Sequence, residues 1–293
     1  MIEIIKLGGN TVKNQETMLL AANYIKSKID NDIKVLIVIS AMGRIGDPYA
    51  TDTLRSLVNG DVSKKELDRL MSCGELISSI VFKSALSEVG VKSYACGISE
   101  IGIVTDNSFG DANIISVEKK LIKILKKYDC LVLPGFQGLS EDNFVTTLGR
   151  GGSDTTAIVL GELYKTRVEI ISDVPGILTA DPKIVEGAKL IETISYSQLE
   201  AITKNGCNVL HYKAAKLANK AKVPLVFKSI EHPDLFTVVG ETERFFNLTY
   251  KIEGNKVKLS IMRNDEITSE EINVSELKNR INYLHYVYHD NIR

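Results

Sequence analysis

Short apolar runs alternate along the chain with amphipathic segments. Five runs are rich in Val, Ile and Leu and lack in/out alternation, which is typical of parallel strands covered on both faces. The predicted strands are Ile2–Leu7, Val35–Ser40, Cys130–Pro134, Val168–Ser172 and Val223–Lys228.

Helix-like segments lie between these runs, and several carry a single apolar stripe. The predicted helices are Gln15–Ile29, Gly74–Glu88, Ala112–Lys127, Asp154–Tyr164 and Tyr212–Lys222. Such alternation predicts an α/β sandwich with right-handed crossovers. Ligands of such sheets bind beyond the carboxyl ends of the strands, where the polar motifs of this chain fall.

The pattern changes near Gly240. The segment "LTYKIEGNKVKLSIMRND" predicts a hairpin that turns at Gly254–Asn255, followed by a helical tail over about 275–288. Roughly fifty residues are few for an independent core. We therefore expect a main domain over 1–240 and an extension over 241–293 that docks on it.

Charge and cysteine content exclude several classes of protein. The 36 basic and 37 acidic residues balance, so neither a nucleic acid nor a membrane surface is an expected partner. No apolar run approaches the roughly 20 residues of a membrane helix. The start of the chain lacks a signal-peptide pattern, and the four cysteines are scattered without metal-ligand spacing. We expect a cytoplasmic protein with reduced thiols.

The first candidate site is "KLGGN", which begins at Lys6 at the end of the first predicted strand. Gly8 and Gly9 can bring backbone N–H groups close to an anion, and an ammonium adds a point charge for phosphate. No Gly-Lys-Ser/Thr follows, so this is not a Walker loop. Taken alone, the two glycines are also consistent with a tight turn.

The second candidate site is "TLGRGGSDTTA", residues 147–157, in which three glycines surround Arg150. Ser153 suits an N-cap and Asp154 the positive end of a helix. That explanation leaves the glycines unexplained. A guanidinium on a closely approaching backbone favours a bidentate grip on a carboxylate or phosphate.

Three further segments carry polar side chains. In "SDVPGILTADPK", Asp173 and Asp181 flank a Pro-Gly turn, which suits either a nucleotide with its magnesium or an ordinary loop. In "SAMGRIGDPYATDTL", Ser40 follows a strand and Thr51 closes a polar loop. In "MSCGELISS", Glu75 is predicted to begin a helix, where an acid is ordinary.

Taken in order, these five segments resemble aspartate kinases of the amino acid kinase family, especially those of spore-forming bacteria. The likeness covers residues 1 to about 240, and its most specific piece is "GFQGLSEDNFVTTLGRGGSDTTA". The resemblance implies a three-layer sandwich around a mainly parallel, eight-stranded sheet. It also implies transfer of the ATP γ-phosphoryl group to the β-carboxylate of L-aspartate, with magnesium held through the ATP phosphates.

The resemblance also implies a role for each site residue. Phosphoryl transfer to a carboxylate needs alignment and charge neutralisation rather than a general base. Lys6 would stabilise the moving charge, and Asp154 would orient Lys6. The implied aspartate contacts are Ser40, Thr51, Glu75 (to the ammonium), Arg150 (to the α-carboxylate) and Ser153. The implied nucleotide contacts are Gly8, Gly9, Ser172, Asp173, Asp181, Lys183 and Asn208.

Several positions depart from the family pattern. Leu7, Asn10 and Thr11 replace Phe, Thr and Ser, and Lys183 stands where Arg is usual. Asn208, in "GCNVLHYKA", replaces a lysine expected near the ATP phosphates, a loss for which Lys213 is a candidate compensation. We expect weaker nucleotide binding or turnover as a result.

The end of the chain departs most. Aspartate kinases continue into paired regulatory ACT domains, and 53 residues after 240 are too few for the pair, so we expect no feedback inhibition through such a pair. The alternatives are an amino acid kinase with a shifted substrate, such as glutamate 5-kinase, and a non-catalytic paralogue that binds aspartate or nucleotide. A homodimer is left open.

Overall fold

The structure is a computed structural model, and it describes residues 1–242 and 245–290, with the side chains of 289 and 290 left aside. The strands are β1 Ile2–Leu7, β2 Lys34–Ile39, β3 Ser93–Ala95, β4 Ile103–Thr105, β5 Ile114–Val117, β6 Cys130–Pro134, β7 Gln137–Ser140, β8 Val145–Thr147, β9 Val168–Ser172, β10 Thr193–Ile194, β11 Leu225–Ser229, β12 Phe236–Val239, β13 Phe246–Glu253, β14 Lys256–Arg263 and β15 Glu266–Asn273.

The α-helices are α1 Gln15–Ile29, α2 Thr51–Ser56, α3 Lys64–Glu88, α4 Ile98–Ile101, α5 Leu121–Leu125, α6 Gly152–Tyr164, α7 Tyr196–Lys204, α8 Tyr212–Ala221 and α9 Leu277–His285. Short 3₁₀ turns cover Gly9–Val12 and Val274–Glu276, and a π-turn covers Tyr286–Asp290.

The chain divides into two compact units. The first comprises residues 1–173 and 223–225, and the second comprises 174–222 and the described residues after 225. This division groups the residues differently from the boundary predicted at 240, which remains a prediction about the sequence.

In the first unit, five strands pair in parallel in the order β9–β1–β2–β6–β3. In the second unit, β12 pairs in parallel with β10 and antiparallel with β11. Together these are the eight strands of the large sheet. The predicted class, an α/β protein with a mainly parallel eight-stranded sheet, is confirmed.

Helix α3 begins ten residues before its predicted start at Gly74. Ser63 and Glu66 form a capping box at its true beginning. Gly74 lies inside the helix because the chain passes close by: a Cβ there would lie 2.8 Å from the Tyr49 carbonyl oxygen and 2.9 Å from the Ala41 Cβ. By length and composition α3 is the one described helix able to span a membrane, but half of its most apolar window is buried, as in a core helix.

The predicted helix over Ala112–Lys127 is wrong. Residues Ile114–Val117 form β5, which pairs with β4 in a four-stranded sheet of order β5–β4–β7–β8, and helix remains only at α5. The apolar stripe misled the assignment, because Leu121 and Leu125 are buried but the residues before them belong to an exposed edge strand.

In the second unit, β13 and β14 form the predicted hairpin, with Gly254 at a φ of 62°. Strand β15 completes a three-stranded sheet, and α9 packs on it. The core of this region also contains Ala180 and Val185. Residues after 240 therefore share a core with residues before it.

Candidate active site

Lys6 stands near the carboxyl end of β1, beside Val38 of β2 and Ile170 of β9. Its Nζ lies 2.8 Å from Asp154 Oδ1 in the first turn of α6, and the two side chains are only 15% and 12% exposed. A partly buried ion pair is held more firmly than a surface pair. The ammonium is therefore fixed in direction at the strand end, where ligands of such sheets bind.

The two glycines after Lys6 have structural partners. The Gly8 N–H donates to the Ile171 carbonyl at 3.4 Å, which differs from the phosphate contact predicted for it. A Cβ on Gly9 would lie 2.5 Å from the Gly43 carbonyl oxygen. The lack of a side chain at Gly9 therefore allows the loop after β2 to pack against it. A Cβ on Gly8 would lie 3.8 Å from Lys6 Nζ. A side chain at position 8 would therefore start in van der Waals contact with the ammonium.

Glu75 lies in the middle of α3, not at its start, so the prediction that it begins a helix is wrong. Its side chain is buried, and Oε1 accepts hydrogen bonds from the Ala41 N–H at 3.1 Å and Thr51 Oγ1 at 3.4 Å. Oε2 has no hydrogen-bond partner among the described residues. Burial raises the pKa of this carboxyl from 4.5 to about 8. A cation beside the unpartnered Oε2 would favour the ionised carboxylate and so offset the effect of burial.

The glycines around Arg150 are required by the backbone conformation and by close packing. Gly149 and Gly151 have φ values of 74° and 71°, and a Cβ on Gly152 would lie 2.6 Å from the Phe136 ring. The prediction that structure leaves these glycines unexplained is therefore wrong. Arg150 itself is exposed and makes no hydrogen bond or ion pair within the described part of the chain. Its guanidinium remains available for an anion.

Helix α6 begins at Gly152 with Gly151 as its N-cap, so the predicted N-cap role of Ser153 is wrong. Ser153 is buried in the first turn instead. A Cβ on Gly135, just after β6, would lie 2.9 Å from Ser153 Oγ. Ser40 follows β2 and donates its N–H to Leu7 at 3.2 Å. The ends of β1, β2 and β6 therefore meet the start of α6.

A hydrogen-bonded chain that the sequence did not reveal crosses the same edge. Asn10 Nδ2 donates to Asp173 Oδ2 at 2.9 Å, and Arg44 Nε donates to Asn10 Oδ1 at 3.2 Å. Asn10, which departs from the family pattern, thus ties the loop after β2 to the end of β9. Ser172, the residue before Asp173, ends β9.

The remaining predicted nucleotide contacts lie in the second unit. Asp181 Oδ1 accepts the Lys183 N–H at 2.9 Å, and Asp181 Oδ2 accepts the Tyr250 hydroxyl at 2.9 Å. Lys183 and Asn208 are exposed. His211 caps α8 by accepting the Lys213 N–H, which agrees with the structural role favoured for it.

Asp68, which no sequence pattern predicted as a site residue, is a buried residue of α3 that accepts hydrogen bonds from the Thr147 N–H and hydroxyl. Its position, seven residues before Glu75, places both acids on one helix face and was the available signal. Over the described ranges, no group of three or more His, Cys, Asp or Glu side chains is arranged to hold a metal ion.

In the first unit, therefore, a fixed ammonium, an unpartnered buried carboxyl oxygen and an uncommitted guanidinium belong to connected elements at the strand ends. The ammonium and guanidinium suit anions, and the carboxyl suits a cation. This is the arrangement of charges that would bind a phosphorylated donor together with a zwitterion.

The comparisons with known proteins agree with a site for a phosphorylated donor and an amino acid. The model of the amino acid kinase family matches residues 1–229, and the chain belongs to that family. Aspartokinase 1 of Bacillus subtilis is 41% identical over 81% of this chain and 60% of its own length. The chain thus spans about three fifths of the length of the curated relatives it matches.

The similar solved structures include two of aspartate kinases. The aspartate kinase from Synechocystis is 28% identical, with a TM-score of 0.70 over 83% of this chain and 40% of that one. Aspartokinase III of E. coli in complex with aspartate and ADP has a TM-score of 0.72 over 86% of this chain and 68% of that one. At 24% identity, the second likeness concerns the fold alone.

Proposed function

We propose that this chain transfers the γ-phosphoryl group of ATP to the β-carboxylate of L-aspartate and forms 4-phospho-L-aspartate. The single observation that carries the proposal is Glu75. Its unpartnered Oε2 is buried in the same unit as the Lys6–Asp154 pair, so a site for a substrate ammonium accompanies a fixed charge stabiliser. The similarity to aspartokinases supports aspartate as the acceptor.

In this proposal, Glu75 binds the α-ammonium, Arg150 binds the α-carboxylate, and Ser40, Thr51 and Ser153 surround the side chain of aspartate. Lys6, oriented by Asp154, neutralises charge on the phosphoryl group in transit. Ser172, Asp173, Asp181, Lys183 and Asn208 contact the nucleotide. Magnesium enters with ATP, held by its phosphates, because Mg²⁺ usually binds through substrate phosphates and few carboxylates.

The proposed setting is cytoplasmic, and the proposed role is the first step toward lysine, threonine, methionine and diaminopimelate. The proposed assembly is a monomer or a homodimer. The alternative to a kinase is a non-catalytic paralogue that binds aspartate or nucleotide. Its specific support is Asn208, which stands where a lysine is expected.

A hydroxamate assay with ATP, magnesium and a panel of amino acids tests the proposal. Acyl phosphates react with hydroxylamine, so a hydroxamate appears only if a carboxylate is phosphorylated. Turnover with aspartate supports the proposal. Turnover with glutamate alone indicates a shifted substrate, and aspartate binding in calorimetry without any turnover indicates the paralogue.

A further inference from the structure

Asp68 is a buried carboxylate without an ion-pair partner in the described part of the chain. Its Oδ2 accepts the Thr147 N–H at 2.8 Å and the Gly110 N–H at 3.0 Å, and its Oδ1 accepts Thr147 Oγ1 at 2.8 Å. Burying a carboxylate is costly unless its oxygens are satisfied. Here three donors satisfy it, and two of them come from one residue.

Thr147 is the last residue of β8 and lies three positions before Arg150. Its carbonyl accepts the Ala112 N–H at 2.8 Å, so both its N–H and its C=O are fixed. The next residue, Leu148, donates its N–H to Phe136 at 2.8 Å, and Gly149 lies over the Asp111 side chain. Each residue of the segment 147–149, which leads to Arg150, is thus held by a hydrogen bond or a close contact.

Asp68 and Glu75 belong to the same continuous helix, about two turns apart. An uninterrupted, capped α-helix is stiff over this length. One end of this stretch holds the segment that carries Arg150, and the other end carries the carboxyl group with the unpartnered oxygen.

We propose that Asp68 is a positioning residue that fixes the Arg150 segment to the helix that carries Glu75. This inference rests on the proposed function, in which Arg150 and Glu75 bind the two charged ends of one α-amino acid. A shared helix keeps the separation of the two binding groups constant. Displacement of the segment weakens binding of the amino acid, while ATP contacts at the end of β1 are unaffected.

The substitution that isolates this role is Thr147→Val, which removes the hydroxyl donor to Asp68 and preserves side-chain size. The matched control is Thr146→Val. Thr146 is the adjacent buried residue of β8, and its hydroxyl makes a comparable hydrogen bond, 2.6 Å from Thr105 Oγ1. Thr147→Ser restores the hydroxyl. Asp68→Asn retains three hydrogen bonds if the Thr147 hydroxyl reverses its direction, whereas Asp68→Ala retains none.

We expect Thr147→Val and Asp68→Ala to raise KM for aspartate about 5-fold or more, with KM for ATP changed less than about 2-fold. Thr147→Ser, Asp68→Asn and Thr146→Val should stay within about 2-fold of the parent chain. Equal effects of Thr147→Val and Thr146→Val on KM for aspartate would overturn the proposal. If Asp68→Ala does not fold, the threonine pair still decides.

Amide hydrogen exchange gives a readout that does not depend on turnover. Thr147→Val should accelerate exchange of the Leu148 amide, which donates to Phe136, relative to the parent chain, while residues 36–38 of β2 remain protected in both. Unchanged exchange at Leu148 would refute the bracing. If the parent chain does not phosphorylate aspartate, the proposed function fails, and exchange still decides whether Asp68 holds this segment.

Discussion

Lys6 Nζ donates to Asp154 Oδ1 at 2.8 Å, and this contact joins the first strand of the chain to a helix almost 150 residues later. The helix is also the element that follows the Arg150 loop. The contact therefore sets the direction of the Lys6 ammonium and ties it to the helix that follows the Arg150 loop.

Asp154→Asn should lower kcat about 10- to 100-fold with a much smaller change in KM for aspartate, because Lys6 loses the charge that directs it toward the reacting phosphoryl group. Steady-state kinetics at saturating ATP measures the effect. The control is Asp30→Asn, which removes an exposed pair of similar length, 2.7 Å from Lys26, and should leave kcat unchanged. An unchanged kcat in Asp154→Asn would show that Lys6 needs no orienting partner.

Glu75→Gln should stabilise the free protein and weaken binding of aspartate. Burial raises the pKa of Glu75 to about 8, so between pH 4.5 and 8 the folded chain holds a proton that the unfolded chain releases. The stability of the parent chain therefore falls across this window as pH rises, whereas the amide does not titrate. At pH 8 the variant should be more stable by about 2–4 kcal/mol.

Urea denaturation at pH 5, 6.5 and 8 measures this difference. The control is Glu88→Gln, because Glu88 is an exposed glutamate near the end of the same helix. This variant measures, at each pH, the effect of the same change of residue at an exposed position of the helix. A Glu75→Gln difference that does not grow between pH 5 and 8 would contradict a raised pKa.

Sequence patterns were sufficient where an element is bounded by local signals. Three of the five predicted strands, β1, β6 and β9, have the predicted bounds, because each is a short segment rich in Ile, Val or Leu. The α1 bounds also agree, since Asn14 and Thr17 form a capping box there. Such signals are read from neighbours in the sequence.

The errors arose where distant residues decide the structure. Gly74 was taken as a helix start, but its lack of a side chain serves the close approach of Tyr49 and Ala41. Strand β5 exists because β4 pairs with it, which no local pattern of its exposed residues indicates. The hydrogen bonds of Asp68 and Asn10 join residues 79 and 163 positions apart, so only the folded chain shows them.

Arg150→Met should raise KM for aspartate about 100-fold and leave stability within about 0.5 kcal/mol, because the exposed guanidinium makes no hydrogen bond or ion pair within the described residues. Kinetics together with urea denaturation separates the two effects. Lys127→Met, which removes an exposed cation elsewhere in the first unit, should change neither. A large loss of stability in Arg150→Met would mean that the arginine serves the fold rather than a ligand.

Gly149→Ala should cost about 2–4 kcal/mol of unfolding free energy, more than Gly90→Ala, which should cost about 1 kcal/mol. The two glycines have similar φ values, 74° and 78°, so the strain of a left-handed alanine is common to both. They differ in space: a Cβ on Gly149 would lie 2.4 Å from Asp111 Oδ1, and a Cβ on Gly90 would meet nothing within 4 Å. Urea denaturation gives the difference, which isolates the packing contribution of Asp111.

Because relief of that clash moves the Arg150 segment, Gly149→Ala should also raise KM for aspartate, while Gly90→Ala should not. Equal losses of stability in the two variants would indicate that the loop yields freely around Asp111, and that Gly149 is needed for its backbone conformation alone.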